Sequence, residues 1–190
     1  GENMIDVFKN KVKEKGYRIA ISPCIRTKAG GLSAGVAILY KPFLNAIAEW
    51  TVVESRAISV MLRVKGLGDF VFTSVYGYCS DSATVTSNRQ LWERLANDSA
   101  QAGKPFVWGG DFNISVTIAK ELMGQLCLPT VIKSTARPTC VSHNCSSIID
   151  YFVCHKKMTS LPAMNHTLCM KVCALLTLRC GEESSLRTAK

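Results

Sequence analysis

The sequence predicts a layered α/β fold, sheets faced by helices, on three observations. Amphipathic helical stretches alternate with short β-branched runs, glycine-punctuated runs are spaced as hairpins, and an apolar strand runs straight into a polar turn. The 190 residues, 47% of them hydrophobic, suit one globular domain over 1–190. From Met4 to Lys15 the apolar Met4, Ile5, Phe8 and Val12 recur at helical spacing, which turns Lys9, Lys11, Lys13 and Lys15 outward. Gly16 supplies a left-handed stop, and Tyr17 to Ser22 alternates as a strand. A turn-rich loop with Gly30, Gly31 and Gly35 leads to Val36-Ala37-Ile38-Leu39-Tyr40, a buried strand that Pro42 ends.

Trp50 to Val53, Ala57 to Val64 and Asp69 to Tyr76 are β-branched and aromatic runs, the last two joined as a hairpin through Lys65-Gly66-Leu67-Gly68. Ser87 to Ala102 reads as a helix with Ser87 and Gln90 as its capping box. Leu91, Trp92, Leu95 and Ser99 lie on its inward face, and Gly103 is its stop. Pro105-Phe106-Val107-Trp108 is a strand, Ile118 to Leu126 a short helix, Ile148 to Cys154 a strand, and His166 to Leu178 a final strand or two.

Composition narrows the function classes. A net charge of +9 is what a phosphate-binding surface needs, since cationic side chains displace counterions condensed on nucleic acid. No apolar run approaches the roughly 20 residues of a membrane helix, so no membrane partner is expected. The start, Gly1-Glu2-Asn3-Met4, has no signal-peptide pattern, and the expected location is intracellular, nuclear or cytoplasmic. The 9 cysteines form no Cys-x-x-Cys pair and read as reduced thiols. Cys140, His143, Cys145 and His155 raise the question of zinc, although their spacing matches no common finger.

The stretch richest in chemistry is Trp108-Gly109-Gly110-Asp111-Phe112-Asn113. Two glycines let the chain turn tightly after a strand, so that a carboxylate and an amide converge on one small volume. Taken alone, the blander reading of an Asp/Asn loop capping the next element is the better one. The ordered set of motifs is more specific. Gly30 to Leu39, Ser74-Val75-Tyr76, the helix with Asn88, Arg89 and Trp92, Gly110-Asp111-Phe112-Asn113, Ser147 to Val153 and Asn165-His166 follow one another.

In this order they resemble the endonuclease/exonuclease/phosphatase superfamily over roughly residues 17 to 178. That superfamily includes abasic-site endonucleases, retrotransposon endonuclease domains and inositol-phosphate phosphatases. The resemblance implies a sandwich of two mixed β-sheets flanked by helices, and a Mg²⁺- or Mn²⁺-dependent in-line attack of water on a phosphodiester. It implies that Asp111 orients or deprotonates the water, that Asn113 bonds the phosphate or the water, and that Tyr76 contacts the phosphate. Asp150 would orient His166, the cationic or acid/base partner.

The same resemblance implies metal ligation by Glu2, Asp111 and Asn165. Asn165 stands where the family has Asp, and Gly77-Tyr78-Cys79 follows Tyr76 where it often has x-Pro-Asn. The family's two opening strands, one of which carries the metal-binding Glu, are expected to be missing ahead of the first helix. Three function classes follow: a phosphodiesterase cutting DNA, of mobile-element type; a phosphatase acting on inositol phosphate or another small phosphoester; and an inactive fragment that binds nucleic acid or protein.

Overall fold

The computed structural model describes residues 3–26, 30–66, 68–79, 82–141 and 146–159. The predicted strand from His166 to Leu178 lies outside the described residues, as do Glu2, Asn165 and His166. The chain runs through α1 (Met4–Glu14), β1 (Arg18–Ser22), β2 (Ile25–Arg26), β3 (Leu32–Ser33), β4 (Val36–Tyr40) and a 3-10 turn (Pro42–Leu44). It continues with β5 (Ala46–Val53), β6 (Ala57–Val64), β7 (Gly68–Tyr76), α2 (Ser82–Ala102), β8 (Phe106–Asp111) and α3 (Val116–Gln125). It then forms β9 (Thr130–Ser134), β10 (Cys140–Val141), β11 (Ser146–Ser147), β12 (Asp150–His155) and α4 (Lys156–Thr159).

Six strands form a mixed central sheet in the order β5-β6-β7-β8-β12-β9. Its neighbours are antiparallel except β7 and β8, between which α2 makes the crossover that parallel pairing requires. Period-two alternation divides the core. Ile58, Leu62, Phe72 and Val107 face the antiparallel pair β1–β4 and meet its Ala20 and Ile38. Val71, Val75, Trp108 and Val153 face the helices and meet Leu91, Trp92 and Leu95 of α2 and Ala119 of α3. The aromatic part of this helix-side core is specific: Trp92 meets Trp108 edge-on at 5.6 Å, and Phe112 stacks on Tyr151 at 4.5 Å.

The layered α/β architecture is the one the sequence predicts. Among the described residues the second sheet is antiparallel rather than mixed, because only the short β2–β3 hairpin separates β1 from β4 and no crossover intervenes. Several local expectations are corrected. The helix assigned to Ser87 onward begins at Ser82, so Ser87 and Gln90 lie inside it and form no capping box. Met4 is 86% exposed and does not share the inward face on which Val12 is buried. The strand expected at Trp50 begins at Ala46, and the loop before Val36 contains the β2–β3 hairpin.

Strands β9, β10 and β11 and helix α4 carried no periodic signal. Cys140 adjoins Thr139, whose hydroxyl accepts the Asp150 N–H at 3.1 Å, whereas His155 ends β12 beside the Phe106 ring at 5.4 Å. The two lie at opposite ends of a strand about 16 Å long, too far apart to share one zinc ion. His143 and Cys145 lie outside the described residues. No described helix is long and apolar enough to cross a membrane.

Candidate functional site

The parallel pairing of β7 with β8 brings their C-terminal ends side by side, and β12 starts at the same edge. The register sets Tyr76 against Asp111 and Asp111 against Asp150, so a phenol and two carboxylates form a row across three adjacent strands. At a strand spacing of about 4.8 Å, this row is about 10 Å wide. Val75, Phe112 and Tyr151, the chain neighbours of these residues, face the helix-side core. Alternation therefore turns Tyr76, Asp111 and Asp150 toward the β1–β4 side.

Two glycines permit the close approach. A Cβ on Gly110, whose φ is +154°, would stand 1.9 Å from the Val75 carbonyl oxygen, and one on Gly77 would stand 1.9 Å from that of Phe112. No side chain fits either place, and the backbones join there directly, Gly77 N–H donating to the Asp111 carbonyl at 2.7 Å; on the β12 side, Phe112 N–H donates to the Ile149 carbonyl at 2.8 Å.

Asp111 is 6% exposed. Its Oδ1 accepts the Asn113 N–H at 3.0 Å, a local turn that Asn113 completes with a left-handed φ of 53°. Asn113 Nδ2 donates to the Gly77 carbonyl at 3.1 Å, and the same oxygen accepts Arg56 Nη1 at 2.9 Å. The Arg56 guanidinium lies 5.1 Å from the centroid of the Tyr76 ring and 4.3 Å from that of Tyr78. Asn88, on α2, clamps Tyr78 through its backbone N–H and carbonyl, each at 2.9 Å. On the other flank, Thr139 Oγ1 accepts the N–H groups of Ile149 at 3.0 Å and Asp150 at 3.1 Å.

Burial raises the pKa of Tyr76 above its ordinary value, Cys79 and the Asp111 carboxylate push the same way, and Arg56 opposes them. The phenol is therefore protonated at neutral pH and is a hydrogen-bond donor. Its oxygen lies 3.9 Å from Cys79 Sγ. Tyr151 has a different part. Burial above all raises its pKa, and its hydroxyl donates to the Ile114 carbonyl at 3.2 Å, which ties the loop after β8 to the sheet.

Among the described residues there is no group of three His, Cys, Asp or Glu that could hold a metal ion. The donors present are still of the right kind. Asp111 and Asp150 offer carboxylate oxygens in register, and Mg²⁺ is commonly held by one or two carboxylates with water and substrate phosphate completing its shell.

Of the predicted residues, Tyr76, Asp111, Asn113 and Asp150 are gathered at this end of the sheet. Glu2, Asn165 and His166 lie outside the described residues. Arg56 and Thr139 were missed. Nothing near Arg56 in sequence marks it, and only the β6–β7 register, Ala57 against Val75, brings it beside Tyr76.

The model of a family described as "Endonuclease/Exonuclease/phosphatase family" matches residues 6–167. No curated protein sequence matches the chain. The fold is similar to that of the endonuclease domain of TRAS1, a telomere-specific non-LTR retrotransposon, with a TM-score of 0.52 and 16% identity over 75% of this chain and 68% of that one. The human Nocturnin catalytic domain matches with a TM-score of 0.57 and 17% identity over 80% of this chain and 66% of that one. A protein of the same family from Leptotrichia buccalis matches with a TM-score of 0.57 and 16% identity over 82% and 66%. This chain thus spans about two thirds of the length of those solved chains.

Proposed function

The chain belongs to the endonuclease/exonuclease/phosphatase family, and from that premise we propose that it is a metal-dependent phosphodiesterase that cuts DNA, an endonuclease of mobile-element type. The observation that carries this reading is the in-register row of Tyr76, Asp111 and Asp150, with Asn113 tied to the middle carboxylate.

In-line attack on a phosphodiester needs a water aimed at phosphorus, a base for its proton, and donors on the phosphate oxygens where charge grows. Asp111 is the base. The bond from Asn113 N–H fixes the plane of its carboxylate, so a water on it is directed rather than free to roam. Tyr76, protonated at neutral pH, donates to a phosphate oxygen one strand away. Asn113 stands beside both and bonds the phosphate or the water. Asp150 orients His166, as the sequence resemblance implies, and the imidazole meets the phosphate as a cation or an acid.

A divalent cation, Mg²⁺ or Mn²⁺, would be held by Asp111, with Asp150 a second carboxylate in register beside it and Glu2 and Asn165 the further oxygen donors that the resemblance implies. When bound, it supplies charge neutralisation at the phosphate. The net charge of +9 supports a polyanionic substrate over a small phosphoester. The assignment to a mobile element follows the sequence resemblance, and the fold shared with the TRAS1 endonuclease domain is consistent with it.

The experiment is nicking of supercoiled plasmid by the purified chain with Mg²⁺, run beside an EDTA control and a panel of inositol phosphates. Metal-dependent nicking with no release of phosphate from the panel is the expected result. Phosphate release without nicking would replace the endonuclease by a small-phosphoester phosphatase, and neither activity from a folded protein would leave a binding domain.

A further inference from the structure

Arg56 lies outside the row, in the turn that leads into β6. Because Ala57 pairs with Val75, the residue before it falls beside Tyr76, whose N–H donates to the Arg56 carbonyl at 2.8 Å. The side chain then folds back over the same strand end. Its guanidinium stands 5.1 Å from the Tyr76 ring centroid and 4.3 Å from that of Tyr78. Nη1 donates to the Gly77 carbonyl at 2.9 Å and Nη2 to Ser33 Oγ, on β3, at 3.4 Å.

The Gly77 carbonyl is the junction. It accepts Arg56 from one side and Asn113 Nδ2, at 3.1 Å, from the other. Asn88 holds the next residue, Tyr78, at both of its backbone polar groups. A guanidinium is planar and carries donors along its edges, so it lies against aromatic rings while donating within its own plane. An ammonium is a compact point charge without that plane or fixed fork, so it does not reproduce the stacked, edge-donating arrangement.

We propose that Arg56 is a positioning residue for this site: it holds the Tyr76 ring and the Gly77 carbonyl in one fixed arrangement and, through that carbonyl, sets the Asn113 carboxamide. Its effect on turnover rests on the phosphodiesterase reading above, whereas its effect on Asn113 belongs to the folded protein and needs no substrate.

Two variants separate the plane from the charge: Arg56→Lys keeps the charge, and Arg56→Met keeps only the stem. In the plasmid assay with Mg²⁺, Arg56→Met is expected to lose roughly tenfold or more in kcat while KM stays within about twofold, because misplaced reacting groups slow the chemical step more than they weaken binding. Arg56→Lys is expected to recover only part of that loss. NMR of the substrate-free protein reads the arrangement directly. The Asn113 side-chain NH₂ and Tyr76 ring signals are expected to move in Arg56→Met, while the Trp108 indole N–H, bonded to Ser99 on the other face of the sheet, keeps its position.

If the wild-type chain does not nick, the phosphodiesterase reading fails and the NMR arm alone decides on Arg56. An unmoved Asn113 carboxamide overturns the proposal in either case, as does an unchanged kcat in an active enzyme. Should Arg56→Met fail to fold, Arg56→Lys carries both readouts, and wild-type kcat with unmoved Asn113 signals overturns the proposal there too.

Discussion

Tyr76 and Asp111 stand directly opposite each other on parallel neighbouring strands, so that a hydroxyl donor and a carboxylate acceptor share one strand-end edge. That pairing needs an α-helical crossover between two sequence-distant segments, and α2 supplies it. Removing the hydroxyl separates chemistry from packing. Tyr76→Phe keeps the ring packed against the core and is expected to fold with stability within about 1 kcal/mol of wild type, because only one hydroxyl of a partly buried side chain is lost. Its kcat for plasmid nicking is expected to fall roughly 100-fold, the usual loss for a donor aimed at developing charge. Steady-state kinetics beside urea unfolding check both halves.

The tight joint between β7 and β8 gives a purely structural prediction. In Gly110→Ala the added methyl would stand 1.9 Å from the Val75 carbonyl oxygen, and the clash is backbone against backbone, which no rotamer relieves. A loss of about 3 kcal/mol or more is expected from equilibrium denaturation, at the top of the range for overpacking. A change within about 0.5 kcal/mol, the range of surface substitutions, would show that the strands part more easily than this geometry implies.

On β4, Tyr40 is buried and donates its hydroxyl to the carboxylate of Glu49 on β5. Burial first, and Glu49 second, push its pKa up to about 12 from 10.0. The sign follows from the proton: the folded state holds it more tightly than the unfolded chain does. The stabilisation is therefore complete below pH 10 and drains away as the pH rises toward about 12. Thermal unfolding followed from pH 8 to pH 12 should show that decline, and Tyr40→Phe should lack this component of it.

If the +9 charge serves a phosphate backbone, duplex affinity should be set by counterion release. The dissociation constant for a DNA duplex is expected to rise by roughly tenfold or more between about 50 mM and about 200 mM salt. Fluorescence anisotropy across that range measures it, and a flat dependence would count against nucleic acid as the partner.

Much of the fold was legible in the sequence where one local signal sufficed. Val36–Tyr40 and Ala57–Val64 are found at their expected bounds, and Leu91, Trp92 and Leu95 are buried on the inward face of α2. Local signals failed where they competed. The segment Ser82-Ala83-Thr84-Val85-Thr86-Ser87 is rich in hydroxyls and β-branched residues that suit turns and strands, yet it is the first part of α2, whose inward anchors lie further along.

The site divides in the same way. Gly110-Asp111-Phe112-Asn113 and Asp150-Tyr151-Phe152 were visible as motifs. The contacts that organise them were not, because Arg56, Gly77 and Asn113 meet only through the registers of β6, β7 and β8.

If Asp111 is the base of a hydrolytic site, Asp111→Asn tests that role most directly, because it exchanges one carboxylate oxygen for an amide nitrogen at nearly the same volume. The measurement is the first-order rate of plasmid nicking in Mg²⁺ by wild type and by Asp111→Asn, with matched circular dichroism. A folded variant slowed by roughly 100-fold or more is expected on loss of a positioned base. A folded variant that nicks at the wild-type rate would contradict it.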